Sequence, residues 1–213
     1  TSISRQVEER FKLAKDERVQ KKVDVIGQKL AGVCERKDIT YHFKVLAEKE
    51  LNAMALPGGF VYVNQGLIDR VENDDELAGV IGHEIGHIVA KHSVKKLQGV
   101  MGYNLLRILM SVGGAEGDVV TGADYAVSQL LLAYSREDEL LADKLGVRYA
   151  RDAGYNPAAM LTFLDKLREY ERKQPLRQFS YFRTHPYISD RIRVVRQEVY
   201  GRIDVEDYIN QEE

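Results

Sequence analysis

The segment His83-Glu84-Ile85-Gly86-His87 carries two imidazoles and one carboxylate at a spacing that suits a hydrolytic zinc site. Residues four apart on a helix lie on the same face, about one turn from each other. His83 and His87 could therefore bind one ion while Glu84 stands beside it. A catalytic zinc ion usually has three protein ligands and keeps one position for water. The motif predicts hydrolysis of amide bonds and requires a third ligand from elsewhere in the chain.

His92 is the nearest candidate for the third ligand, but its spacing argues against that role. The extended motif with a third histidine needs glycine at position 90 and histidine at position 93, where this chain has Ala90 and Ser93. On a continuous helix, His92 would also point about 140° away from His87. We therefore expect His92 to be solvated or to support the site from behind the ligands.

A group of acidic residues between Ser135 and Asp143 offers a better third ligand. Glu139 and Asp143 are four apart in a helical pattern and share one face. One of them could bind zinc while the other accepts a hydrogen bond from a ligand imidazole and fixes its tautomer. The neighbouring carboxylates of Glu137 and Asp138 are expected to be solvated.

The sequence pattern predicts the helices that position these residues. Asn73 is suited to cap a helix whose first turn is acidic, and apolar residues follow at helical spacing. Asn156 and Pro157 mark another helix start. The predicted helices are the following: about Ser4 to Ala31, Asp74 to Leu97, Asp124 to Ala153, and one each after Pro157 and Ser189.

Two β-forming segments, Ile39 to Leu46 and Phe60 to Val63, precede the predicted helix that carries His83 and His87. Between them, a short strand from Leu51 ends in the turn Pro57-Gly58-Gly59, which predicts a hairpin. An exposed edge of such a sheet can bind an extended peptide through main-chain hydrogen bonds. Alternatively, this strand belongs only to the core and the glycines only form the turn.

The composition suits one domain, residues 1–213, with 44% hydrophobic residues and a formal net charge of -2. Basic residues are dispersed among acidic ones, so we do not expect a nucleic-acid partner. Cys34 is the single cysteine, which excludes an internal disulfide and a thiolate zinc site. No apolar stretch reaches the roughly 20 residues of a membrane-spanning helix. We expect any membrane tether to lie in sequence that precedes Thr1.

Residues 99–122 are the least regular part of the sequence. The apolar run from Val100 to Val112 is interrupted by Gly102, Asn104 and Arg107. We expect a core helix followed by a glycine-rich loop, or alternatively a cover for the cleft or a surface for a partner.

Four blocks of sequence resemble the HtpX-like and CAAX-prenyl-protease-like zinc metallopeptidases of the gluzincin group, especially their soluble bacterial branch outside the cytoplasm. The blocks occur in the family's order between about residues 50 and 195. They are Asn52 to Gly59, Glu76 to His87, Ser135 to Asp143, and Thr184-His185-Pro186 with Arg191 and Ile192. The resemblance implies an α+β, predominantly helical, zincin-like domain with a small sheet beside the motif helix. It also implies a periplasmic or otherwise extracytoplasmic location.

The resemblance further assigns the site residue by residue. It implies one zinc ion (Zn2+) per chain with the following residues around it: His83, His87 and Glu139 as ligands, Glu84 as general base, Asp143 as the partner of a ligand histidine, Arg191 in the same site, and His185 near the metal. In this family, the strand that corresponds to Asn52 and Ala53 lies along the cleft. These two residues are therefore the candidate substrate-binding residues.

His185 could act in two ways. It could donate a hydrogen bond to the oxyanion of the tetrahedral intermediate. As a neutral imidazole, it could instead occupy the fourth zinc position and give a latent enzyme. Because Pro175, Pro186 and polar residues lie between two helical patterns, we expect a mobile loop between about Gln174 and Ser189 that moves His185 between these positions.

Together these features favour a zinc endopeptidase that cleaves unfolded or misassembled polypeptide, with Glu84 activating a zinc-bound water. The alternative is a zinc-containing, chaperone-like protein that binds client chains on the sheet edge and cleaves slowly or never. Glu84 beside His83 favours the enzyme, because a structural zinc site has four protein ligands and no base.

Overall fold

The structure is a computed structural model that describes residues 2–96, 98–99, 133–173 and 181–201. Helices dominate these residues and the strands form one small sheet, which confirms the predicted α+β class. In chain order the elements are α1 (Ser2–Arg10), α2 (Glu17–Val33), β1 (His42–Leu46), β2 (Ala53–Leu56), β3 (Phe60–Asn64), α3 (Gln65–Ile68), α4 (Asp74–Val89), α5 (Arg136–Asp152), α6 (Ala159–Lys173), α7 (Tyr181–Thr184) and α8 (Ile188–Tyr200). Residues 92–96 are also helical.

The three strands have the order β1-β3-β2. β3 runs parallel to β1, with Val63 opposite Val45, and antiparallel to β2, with Val63 opposite Ala53. The turn between β2 and β3 contains Gly58 and Gly59 with φ of 93° and 89°, a conformation that other residues rarely adopt. The predicted hairpin is therefore confirmed, and β2 is an outer strand of the sheet.

α4 is the central element of the fold. Every residue from Glu76 to Ile88 is buried, because α4 packs against α2, β2, α5 and α6. A helix that is apolar around most of its circumference belongs in a core. The buried apolar residues of α4 are Leu77, Ala78, Val80, Ile81, Ile85 and Ile88. The polar residues of the zinc motif are carried into the interior with them.

The N-terminal region forms two helices, so the single helix predicted from Ser4 to Ala31 is wrong. The segment between α1 and α2 pairs with the outer side of β1, where the amide of Ala14 donates to the carbonyl of Val45 at 2.9 Å. Asp16 then caps the start of α2. The helix is interrupted because the edge of β1 gains hydrogen-bond partners from the extended segment.

α4 ends at Val89, whereas the sequence predicts a helix as far as Leu97. Lys91 adopts a left-handed conformation with φ of 59°, which breaks the helix. No glycine or proline marks this position in the sequence. The break redirects the chain immediately before His92.

α5 begins at Arg136, where the hydroxyl of Ser135 caps the helix by accepting the amide of Asp138 at 3.1 Å. The helix predicted from Asp124 therefore does not run through residues 133–135. Residues 100–132, which include most of the irregular 99–122 segment, lie outside the described residues.

The C-terminal region matches the prediction in its two longer helices, α6 and α8. Part of the loop predicted between Gln174 and Ser189 is helical, since residues 181–184 form α7. Residues 174–180 lie outside the described residues. Within the described part of the chain, no helix has the length and apolar character needed to cross a bilayer.

α4 and α5 cross so closely that their backbones touch. A Cβ atom on Gly86 would stand 2.8 Å from the carbonyl oxygen of Ala142, and one on Gly146 would stand 2.8 Å from the amide nitrogen of His83. Gly82 faces Gly146 in the same contact. Larger side chains cannot occupy these positions without a shift of backbone, so the glycines set the separation of the two helices.

Gly146→Ala is expected to destabilise the protein, although alanine is the better helix former. The new methyl group would press on the backbone of His83 and force the helices apart, at a cost of about 1–3 kcal/mol. Gly32→Ala in α2 is the matched control, because a Cβ atom there meets nothing within 4 Å. That variant should be neutral or stabilised by up to about 1 kcal/mol. Chemical denaturation measures the free energy of unfolding of both variants. Equal values for the two would contradict the close crossing of the helices.

Candidate metal centre and active site

α4, α5 and the C-terminal region bring seven polar side chains together inside the protein. Each is at most 1% exposed. They are His83, Glu84 and His87 from α4, Glu139 and Asp143 from α5, and His185 and Arg191 from the region of α7 and α8. Buried polar groups are costly unless they have partners, so their contacts define what this centre can do.

Four of these side chains direct ligand atoms towards one another. One atom each from His83, His87, Glu139 and His185 forms a group that lies within 4.8 Å. Nε2 of His83 is 3.0 Å from Nε2 of His87 and 3.2 Å from Nδ1 of His185. Oε1 of Glu139 is 3.3 Å from Nε2 of His87. Ligands of a tetrahedral zinc ion, with bonds of about 2.0–2.1 Å, stand roughly 3.3 Å apart, so the arrangement matches such an ion.

His83 presents an unprotonated Nε2 to this cluster. Its Nδ1 lies 2.7 Å from Oδ1 of Asp143 and 3.2 Å from Nη2 of Arg191. The carboxylate contact is the shorter and a carboxylate accepts hydrogen bonds, so we place the ring hydrogen on Nδ1. Burial holds the pKa of His83 well below 6.5 and keeps the ring neutral. The Nε2 lone pair therefore faces Nε2 of His87 at 3.0 Å, where it can accept a hydrogen bond from that ring or bind a cation together with it. Imidazole nitrogens together with a carboxylate are a donor set that fits zinc.

Glu84 is buried beside the cluster. Among the described residues, neither of its carboxylate oxygens makes a hydrogen bond, although Oε1 is 3.3 Å from Nε2 of His185. Burial raises the pKa of Glu84 to about 7. A carboxyl group with this pKa can both accept and return a proton near neutral pH.

Arg191 contacts two carboxylates of the centre, those of Glu139 and Asp143. Its Nε and Nη2 each donate to Asp143 at 2.8 Å, and its Nη1 is 3.1 Å from Oε2 of Glu139. Despite the opposing effect of burial, His185 and Arg191 hold the pKa of Glu139 well below 4.5. Nη1 also donates to the carbonyl of His185 at 3.4 Å. One guanidinium thus links α5, α8 and the segment that carries His185.

Two tyrosines enclose the ligand cluster. Tyr134 stacks on His87 with ring centroids 3.8 Å apart, and Tyr181 stacks on His185 at 4.3 Å. Neither tyrosine carries a sequence signal for this position, since Tyr134 simply fits the apolar pattern of a helix.

The outer strand β2 lies next to the segment that carries His185. The amide of Tyr181 donates to the carbonyl of Leu51 at 3.0 Å, and the hydroxyl of Thr184 donates to Oδ1 of Asn52 at 3.4 Å. Ala53 is buried. Asn52 and Ala53 thus lie at the sheet edge close to the cluster, and their role in substrate binding stays a prediction.

Comparison with known proteins agrees with this geometry. Residues 15–199 match the sequence profile of Peptidase family M48. The chain belongs to peptidase family M48. The metallopeptidase class and the zinc cofactor that the sequence predicts are confirmed by this membership.

Several curated relatives of this M48 chain are proteases. Metalloprotease LoiP of Escherichia coli K12 is 32% identical over 73% of this chain and 61% of its own length. The beta-barrel assembly-enhancing protease of the same strain is 26% identical over 82% of this chain and 37% of its own length. Mitochondrial metalloendopeptidase OMA1 of Schizosaccharomyces pombe is 27% identical over 82% of this chain and 51% of its own length. The chain therefore spans only about a third to three-fifths of these relatives.

The structure gathers all seven residues expected around the metal. Of the two alternatives for His92, it excludes solvation and agrees with a supporting position behind the ligands, since His92 is 2% exposed and its Nδ1 is 2.9 Å from Nδ1 of His87. The expectation that Asp138 is only solvated is wrong, since its Oδ1 is 3.0 Å from Nε2 of His92. The helix break at Lys91, which the sequence does not predict, turns His92 back towards the centre.

Arg191→Leu is expected to destabilise the M48 domain by about 3–5 kcal/mol, because it leaves the buried carboxylates of Glu139 and Asp143 without their counter-charge. Arg148→Leu is the control. Arg148 pairs with Glu35 on the surface, with its side chain 45% exposed, and its loss should cost about 1 kcal/mol or less. Urea denaturation of the two variants measures the difference. Similar losses would show that Arg191 is not the main counter-charge.

Proposed function

We propose that this chain is a zinc endopeptidase in which Glu84 acts as the general base. The observation that carries the proposal is the buried carboxylate of Glu84, without a hydrogen bond among the described residues, beside the converging side chains of His83, His87 and Glu139. A structural zinc site has four protein ligands and does not need a buried carboxylate without a hydrogen bond next to them.

Each residue of the centre would have its own role in the reaction. Zinc held by His83, His87 and Glu139 would polarise the substrate carbonyl and lower the pKa of a water molecule beside it. Glu84 would take a proton from the attacking water and deliver it to the leaving amine, and its pKa of about 7 suits both transfers. Asp143 would keep the His83 ring in its orientation throughout.

We further propose that the described conformation is a latent form. Nδ1 of His185 stands within the ligand cluster, while its Nε2 faces Glu84. A fourth protein ligand would leave no position for water. Because Tyr181 and Thr184 also contact Leu51 and Asn52, directly before β2, one displacement of residues 181–185 would free both the fourth position and the adjoining strand edge.

Substrate binding is proposed along β2. The carbonyl of Asn52 accepts the amide of Asn64 at 2.9 Å, so Asn52 faces β3. In an antiparallel pair the next residue, Ala53, directs its amide and carbonyl to the opposite side. A peptide added on that side would bind through its main chain, with little demand on its sequence. This mode suits unfolded or misassembled polypeptide.

The names of the relatives support a narrower substrate class. Proteins called beta-barrel assembly-enhancing protease suggest envelope proteins as substrates and a periplasmic or otherwise extracytoplasmic location for this chain. Both points are proposals, since the match covers about a third of those relatives. The enclosed position of His185 favours a second candidate, a chaperone-like protein that holds clients and cleaves little.

Glu84→Gln is expected to retain zinc and to lose about a hundred- to ten-thousand-fold in the rate of casein cleavage, because the amide cannot accept the proton. Glu137→Gln, a change of the same kind at an exposed position of α5, should cleave like the parent. Bound zinc and cleavage are measured for all three proteins. Equal cleavage by the parent and Glu84→Gln would rule out Glu84 as the base. Casein binding without cleavage by any of them would favour the chaperone-like protein.

His185→Ala is expected to keep zinc and to cleave casein about tenfold faster than the parent or more, because the latent form loses its closing ligand. Cleavage rates at equal zinc content measure the effect. A decrease of about a hundred- to thousand-fold would instead assign His185 to stabilisation of the oxyanion. Unchanged cleavage would contradict both roles.

A further inference from the structure

A chain of two contacts runs from the ligand cluster to the surface of α5. Nδ1 of His87 lies 2.9 Å from Nδ1 of His92, and Nε2 of His92 lies 3.0 Å from Oδ1 of Asp138. His92 is buried, whereas the Asp138 side chain is 27% exposed. Neither His92 nor Asp138 belongs to the group of converging ligand atoms.

The carboxylate at the end of this chain fixes the direction of every hydrogen bond in it. Asp138 can only accept, so Nε2 of His92 carries a hydrogen and donates it. Nδ1 of a neutral His92 then carries a lone pair and accepts from Nδ1 of His87. Nε2 of His87 is left as a lone pair that faces Nε2 of His83 at 3.0 Å and Oε1 of Glu139 at 3.3 Å.

We propose that His92 and Asp138 are positioning residues that fix the tautomer and orientation of His87 for zinc. The inference rests on the proposed ligand set. An imidazole ligand that donates its second ring hydrogen to a carboxylate, directly or through another group, is a stronger and better oriented donor. His83 has this support directly from Asp143, and His87 receives it through His92. Both carboxylates come from α5, which also carries Glu139.

The surroundings hold His92 in place for this role. The left-handed Lys91 turns the chain so that the His92 ring faces His87, and the hydroxyl of Ser93 donates to the carbonyl of Ala55 at 2.9 Å. The two supporting carboxylates, those of Asp143 and Asp138, differ in exposure because their charges are stabilised differently. Asp143 is fully buried and needs Arg191, whereas water can reach Asp138 and solvate its charge.

The test compares zinc affinity, measured in the full chain by competition with a chromophoric chelator. His92→Leu removes the acceptor, and we expect zinc affinity to fall about 10–100-fold. His92→Asn places an amide oxygen near the position of Nδ1 and should recover part of that loss. Asp138→Ala should weaken zinc binding about tenfold. Glu137→Ala removes a neighbouring exposed carboxylate and should leave the affinity unchanged.

Two further readouts separate positioning from a general structural role. The Co2+-substituted protein should show shifted absorption bands in His92→Leu, and the parent spectrum should return largely in His92→Asn. Since Asp138 acts through His92, Asp138→Ala should have no further effect in the His92→Leu background. If His92→Leu does not fold, the zinc affinities of Asp138→Ala and Glu137→Ala still test the positioning role.

Parent zinc affinity in His92→Leu, or independent and additive losses for the two substitutions, would overturn the inference. Equal effects of Asp138→Ala and Glu137→Ala would overturn it as well. His87→Ala distinguishes this failure from a failure of the proposed ligand set. If His87→Ala loses zinc while His92→Leu does not, only the positioning role is wrong; if His87→Ala retains parent affinity, the ligand set itself is wrong.

Discussion

The close crossing of α4 and α5 is the constraint on which the zinc centre depends. Glycines on both helices let the two backbones touch, so that histidines from one helix and carboxylates from the other meet directly. A catalytic site must be held to within about 0.5 Å of its working geometry, and touching backbones provide a stiffer support than long side chains. The sheet, α2 and α6 surround α4 and keep this contact in place.

The second requirement of the centre is charge balance. Its fully buried side chains include three carboxylates, those of Glu84, Glu139 and Asp143, against one guanidinium, that of Arg191. Ionisation of all of them would leave an excess of two negative charges in the interior, which a divalent cation compensates. The polar interior thus makes physical sense for a protein that folds around a metal ion. The raised pKa of Glu84, caused mainly by burial, shows the cost of holding a carboxylate there.

The sequence predicts the centre better than it predicts the chain around it. Helical spacing alone identifies His83, Glu84 and His87, and it narrows the third ligand to Glu139 or Asp143, because these residues belong to regular helices. His185 follows only from family resemblance, since a histidine before proline has no intrinsic signal. His92 and the split between α1 and α2 depend on tertiary contacts that periodicity does not encode, namely a left-handed Lys91 and hydrogen bonds to the edge of β1.

The burial of the ligand cluster has a consequence for the life of the protein in a cell. Because its nitrogens and oxygens converge only in the folded chain, zinc binds the native state in preference to the unfolded one. Free zinc at a hundred times its dissociation constant would then add about 2.7 kcal/mol to the free energy of unfolding. When zinc is scarce, the domain loses this stabilisation together with its catalytic ion. Zinc starvation would therefore increase the unfolded fraction of the enzyme as well as abolish its activity.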